Sequence, residues 1–228
     1  MEVQMEKVKL PKPSLAGMLL SPAVQFERMR RNPRVLGPMF IMAILLSVML
    51  GAFMYLIVND ALIAQIKSAV PDQTIDKATF QTIMGVTGAV IGLIASPIIF
   101  LIGGAILKIC TTLAGSDATY KQMLSLTIYS STVVIVYYAV NNILFAVVGY
   151  REGMTSFTSL GSLFPSGSML AGLGSVFDIF YLWSFYLLFA GLQTVAGLKR
   201  KGAWIVVGIL FGITVLVSVG STLAQSAA

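Results

Sequence analysis

Charged residues divide this chain into alternating blocks. Five stretches carry none at all: Val35–Asn59, Ala78–Leu107, Gln122–Tyr150, Ile179–Leu198 and Gly202–Ala228. A bilayer's hydrocarbon core is about 30 Å thick, and a helix needs roughly 20 apolar residues to cross it. Every stretch meets that length, so the pattern predicts an all-α integral membrane protein with five transmembrane helices. The connecting segments then sort by charge. With the N-terminus in the cytoplasm, segments 1–34, 108–121 and 199–201 hold 12 of the 15 Lys and Arg residues. The opposite side holds only Lys67, Lys77 and Arg151. Cytoplasmic loops retain positive charge, so the asymmetry predicts a cytoplasmic N-terminus and an outward C-terminus.

Two regions follow from this: a cytoplasmic segment, 1–34, and a membrane domain, 35–228. Lys7 to Pro13 is basic and broken by Pro11 and Pro13, so it is expected to be extended. Ser14 is placed to cap a helix, and Ser21-Pro22 to restart one. Leu15, Met18, Leu19, Phe26 and Met29 recur at helical spacing, while Arg28, Arg30, Arg31 and Arg34 crowd the end. The expectation is an amphipathic helix lying in the cytoplasmic interface, with Phe26 and these arginines touching lipid or a partner. The first apolar stretch starts too far along the chain for a signal peptide, so an uncleaved chain is expected.

Within the spans, small and polar residues mark particular faces. Gly88, Gly92 and Ser96 recur every four residues, and Gly104 lies eight beyond Ser96, a ridge suited to close helix approach. Pro97 interrupts the same helix and is expected to kink it. In the third span Thr127, Ser131, Tyr138 and Asn142 share a face, extended by Ser130, Thr132, Tyr137 and Asn141. Hydrogen bonding between helices or a substrate-lining face would each use it. Of the 23 residues from Gly153 to Ser175, 11 are Gly or Ser, yet interspersed Phe and Leu argue against full solvation. That connection either lies on the membrane or dips into it. Asp178 follows. Drawn into the bilayer, a carboxylate there is a functional candidate; left at the interface, it is a helix-start anion. Lys199-Arg200-Lys201 makes a tight turn between the last two spans, and Gly208-x-x-x-Gly212 in the fifth is another close-packing signal.

Composition narrows the chemistry. The hydrophobic fraction is 57% and the charged fraction 11%, which no soluble domain of this size accommodates. The net charge of +6 flanks membrane segments, so lipid headgroups rather than nucleic acid are the expected contact. There is no histidine and a single cysteine, Cys110. That removes imidazole-based catalysis, a disulfide within the chain and a cysteine zinc site. No phosphate-binding glycine loop occurs. No catalytic residue, cofactor or metal is expected. Cys110, at a helix end, suits simple packing or palmitoylation.

Several local patterns together resemble the Yip (Ypt/Rab-interacting protein) family of five-span membrane proteins, in its bacterial form. They are Ser21-Pro22 followed by Phe26-Glu27-Arg28-Met29, the Gly115 to Gln122 run, and Tyr129-Ser130-Ser131. The strongest is Asp178-Ile179-Phe180-Tyr181-Leu182-Trp183, followed by Gly191-Leu192. Two departures stand out. Thr132-Val133 replaces a proline often found after Ser131, and Leu36-Gly37-Pro38 lacks the acidic residue that precedes it in eukaryotic members. The resemblance adds Trp183 to the candidates and implies a bacterial cell membrane. Some bacterial members accompany ABC-type efflux systems, which implies an accessory role beside an exporter permease and its adaptor. An independent small-molecule or lipid transporter, using Asp178 and the Pro97 kink, is the competing expectation. Membrane shaping, as in eukaryotic members, is a third.

Overall fold

Several helices in this chain begin where a side chain caps them. A computed structural model describes residues 11–69, 76–150, 154, 156–165 and 168–226. The Ser14 hydroxyl accepts from the Gly17 amide to start α1 (Leu15–Leu20), and Ser21 with Pro22 starts α2 (Pro22–Arg31). Next come α3 (Leu36–Leu56), α4 (Asp60–Ala69) and α5 (Lys77–Leu113). Asp76 caps α5, and its hydrogen bonds from Thr79 hold its carboxyl below the usual carboxylate range. A reciprocal capping box of Thr119 and Gln122 opens α6 (Tyr120–Ser130). α7 (Thr132–Val148) follows across Ser131. A single 3₁₀ turn (Leu160–Leu163) precedes α8 (Met169–Val176), α9 (Ile179–Thr194) and α10 (Arg200–Ser226). Lys7 to Lys9, Pro71 and Arg151 lie outside the described residues.

Four helical segments are long and apolar enough to cross a membrane: Leu36–Leu56, Lys77–Leu113, Tyr120–Val148 and Arg200–Thr222. The remaining expected span is different. α9 has 16 residues, about 24 Å of helix, which falls short of the hydrocarbon core. It is preceded by α8, broken from it at Phe177-Asp178. Contacts with α10 run in antiparallel order: Gly172 lies against Thr222, Ser175 bonds Ser218, Phe177 meets Phe211, and Phe189 meets Trp204. α8 and α9 together therefore follow α10 along most of its length. The third apolar stretch is also interrupted, at Ser131 between α6 and α7. α5 runs unbroken through Pro97.

Membrane helices lack a solvent-driven force between them and associate through close packing. The α3–α5 pair shows it. A Cβ added to Gly92 would lie 2.9 Å from the Ser47 Cα, and one on Gly88 would lie 2.6 Å from the Met54 Cγ. The Ser47 hydroxyl donates to the Ala89 carbonyl at 2.6 Å across the same contact. Ser96 is buried and donates to Gly92 in its own helix. Gly104 lies against Leu124 of α6.

Two packing observations bear on the expectations. Phe26, expected to touch lipid or a partner, packs inside the protein with its apolar neighbours. Met18, Phe26 and Met29 are fully buried in the main core, with Leu126, Tyr129 and Leu192. The Tyr129 hydroxyl donates to the Pro13 carbonyl, Gln122 to the Arg30 carbonyl and Ser125 to the Arg34 carbonyl. Protein groups thus take up these side chains and carbonyls, while Leu20 and Val24 of the same segment stay exposed. The second concerns Gly208 and Gly212, which pack on no helix among the described residues. A Cβ at either would meet nothing within 4 Å among the described residues. α10 packs inward through Ala203, Val206 and Val207, one helical face away.

These distances separate the two glycine sets experimentally. Gly92→Leu is expected to force α3 from α5 and lower stability by about 1–3 kcal/mol. Gly208→Ala is expected to leave it unchanged or slightly raised, since a helical alanine is preferred. Thermal melting in detergent checks both; equal effects would contradict the packing described.

Candidate functional site

The break between α8 and α9 is built around one carboxylate. Asp178 is the N-cap of α9, and its Oδ1 accepts from the Phe180 amide at 2.8 Å. The residue is completely buried. Its Oδ2 accepts from the Ser156 hydroxyl at 2.8 Å and the Thr158 hydroxyl at 2.5 Å. Among the described residues the ion pair is Lys77 with Asp60, far along the chain, so donors rather than a cation hold Asp178. The positive end of the α9 dipole adds to them. Asp178 is thus buried by protein at the start of a helix. It stands beside Phe177, whose ring sits 5.9 Å from that of Phe211 in the middle of α10.

A second layer orients the donors. The Asn141 amide group of α7 donates to Thr158 Oγ1 at 3.1 Å and to the Tyr137 carbonyl at 3.0 Å. Asn141 Oδ1 accepts from the Phe157 amide at 2.7 Å. The Thr158 amide donates to Ser156 Oγ, so both Ser156 and Thr158 can direct their single hydroxyl proton to Asp178. Ser159 forms an isolated antiparallel bridge with Asp178, and the Leu160 amide donates to the Phe177 carbonyl. The segment 156–160 therefore supplies groups that a helix break leaves exposed. Aromatic rings close around the cluster: Tyr137 stacks on Tyr181 at 5.4 Å and meets Phe180 edge-on, while Phe145 meets Phe157 at 5.0 Å. A cavity of about 210 Å³ adjoins it, lined by Ser156, Tyr137, Tyr181, Ser175 and Ser218 among others.

Glycines bring the connection against the helices. Gly161 and Gly174 touch backbone to backbone, since a Cβ on Gly174 would lie 2.7 Å from the Gly161 amide nitrogen. The Ser175 and Ser218 hydroxyls are 2.7 Å apart, and Ser218 donates to the Gly172 carbonyl. This settles the connection's described part as packed on the bundle.

The other sequence candidates lie elsewhere. Tyr138 and Asn142 turn to α3: the Tyr138 ring is 6.4 Å from Phe53, and Asn142 donates to the Met49 carbonyl at 3.0 Å. Pro97 is half-buried in α5, and Trp183 packs on the main core from α9. Phe26 is sealed in that core. Arg28 donates to the Lys12 carbonyl, whereas Arg30, Arg31 and Arg34 are exposed. Cys110 is half-buried against the main core. Ser156 and Thr158 escaped sequence reasoning. Their one signal was a hydroxyl-rich loop preceding a lone carboxylate, and eleven small residues there gave no way to choose.

A model of the Yip1 domain matches residues 16–222, from the first turn of α1 nearly to the end of α10. The chain belongs to the Yip1 domain family. The matched region takes in the N-terminal helices, in keeping with their burial in the Yip1 bundle. Membrane protein YknW of Bacillus subtilis (strain 168) is 37% identical over 237 aligned positions, covering 100% of this chain and 99% of that protein. This Yip1-domain chain is thus a multi-pass membrane protein related end to end to a bacterial membrane protein. No solved structure matches it.

Removing the carboxylate tests what holds the break. Asp178→Ala would strand two hydroxyls and an amide in a buried site, each costing about 1–3 kcal/mol. A loss of about 3 kcal/mol or more is expected in detergent unfolding. Asp178→Asn, which keeps one acceptor, is expected to lose roughly half of that, and Ser156→Ala about 1 kcal/mol. Alanine at 178 with wild-type stability would contradict the cluster's role.

Proposed function

We propose that this Yip1-domain protein is a non-enzymatic accessory or assembly subunit of a bacterial ABC-type export complex in the cell membrane. It crosses the bilayer five times, the broken α8–α9 segment forming the fourth crossing, with its N-terminus cytoplasmic and C-terminus outside. The observation that carries the reading is the outer face of α10. Gly208 and Gly212 stand one turn apart on a span-length helix with no described neighbour within 4 Å of an added Cβ. Small residues in membrane helices permit close backbone approach, and here the space for a second helix is open. Charge distribution supports the orientation, and the family resemblance supplies the class of partner. The engagement of Asp178 with three protein donors favours a fixed scaffold over a moving carrier.

Extraction in a mild detergent, under conditions that keep an exporter intact, is expected to recover the permease and its adaptor with this protein. Gly212→Leu is expected to reduce that recovery at least several-fold while the isolated protein melts as wild type. Recovery of the free protein alone, beside an intact exporter, would reject the proposal.

A further inference from the structure

The break between α6 and α7 borders a second cavity, of about 320 Å³. Its walls come from four directions: Ile106 and Leu107 of α5, Val134 of α7, Phe185 and Leu188 of α9, and Leu210 of α10. Charged residues are missing from its lining. Ile106 is 40% exposed on the chain's outer surface, so the cavity borders the lipid-facing side of α5.

Hydroxyls are present in this apolar lining, and their bonding differs. Thr127 donates to the Met123 carbonyl, Ser131 to Thr127, Ser184 to Phe180 and Thr214 to Leu210. Each is satisfied by its own helix, and Tyr181, which also lines the cavity, pairs with Tyr137. Ser130 is the exception. It is 7% exposed, lines the cavity, and its Oγ is buried with no hydrogen-bond partner. A buried hydroxyl without a partner is costly, and such a group in a native fold calls for one.

We propose that this cavity binds a neutral lipophilic molecule carrying a single hydrogen-bonding group, which pairs with Ser130 once rotation of its side chain turns the hydroxyl toward the cavity. Neutrality follows from the uncharged lining, and the apolar body from the aliphatic and aromatic walls. Ser130 is eleven residues into the Tyr120–Val148 segment, about 16 Å along it. That is too deep for a phospholipid headgroup, so the polar group must sit on an otherwise apolar molecule that partitions into the bilayer. The site stands independently of the export reading.

Photolabelling in phosphatidylcholine liposomes tests the proposal, with 1-azidoanthracene as probe and 1-aminoanthracene as competitor. Saturable, competed labelling is expected at Leu107, Val134 and Leu188. Ser184→Phe, which fills the cavity and leaves no partner unpaired, is expected to reduce it at least tenfold. Ser130→Ala is expected to weaken competition about fivefold, the effect of one hydrogen bond, without lowering the stability of the unliganded protein. Native mass spectrometry of freshly extracted protein identifies the source. A retained lipophile that Ser184→Phe loses marks a cellular lipid, and a bare protein that still binds the probe marks a ligand from outside; both support the site. Unsaturable labelling, as strong on outward Ile102 and Ile209 as on Leu188 and unchanged by Ser184→Phe, would overturn it.

Discussion

A helix interrupted inside a membrane protein must find partners for the backbone groups it frees, and Asp178 with residues 156–160 supplies them here. The constraint is severe because a buried polar group left without a partner is costly. At this break the Phe180 amide is taken by the carboxylate, the Phe177 carbonyl by the Leu160 amide, and the carboxylate's other oxygen by two hydroxyls. Removing any one group leaves another stranded. The fold of the connection, the angle at which α8 precedes α9, and the fit of both against α10 all follow from this mutual satisfaction. Asn141 extends the dependence to α7.

The rest of the bundle is organised by how closely backbones approach. Glycines at 88 and 92 let α3 and α5 touch, and Gly104 does the same for α6. Gly191 of α9 receives Leu126 and Phe26, so the N-terminal helices also enter through a position where a side chain would block them. This gives that end of the bundle a plug of Met18, Phe26 and Met29. The basic side chains of that segment stay outside, where they can meet headgroups or a partner without involving the core.

Hydrophobic length and glycine period were legible in the chain. Four of the uncharged stretches became unbroken or nearly unbroken long helices, the Ser14 cap began α1, and Pro22 stands at the first position of α2. The fourth span was legible only in part. Its apolar run looked continuous with the loop before it, because the break at Phe177-Asp178 is set by residues some twenty positions earlier. The protein partners of the N-terminal helices were illegible for a related reason. An amphipathic pattern shows which side chains must leave water, but lipid and a protein cleft satisfy it equally. Gly208 and Gly212 carry the same spacing as Gly88 and Gly92, yet spacing cannot show whether the opposing helix lies in the same chain. Asp178 could be singled out by charge alone; its donors, Ser156 and Thr158, could not be distinguished from their many small neighbours.

These features describe a membrane bundle whose interruptions are held shut by internal polar bonds. Hydrogen–deuterium exchange at the start of α9 tests that claim most directly. With the break satisfied, the Phe180 and Leu182 amides, bonded to the Asp178 side chain and carbonyl, exchange as slowly as amides in the middle of α9. Exchange there at the rate of a solvent-exposed loop would show that the carboxylate does not close the break.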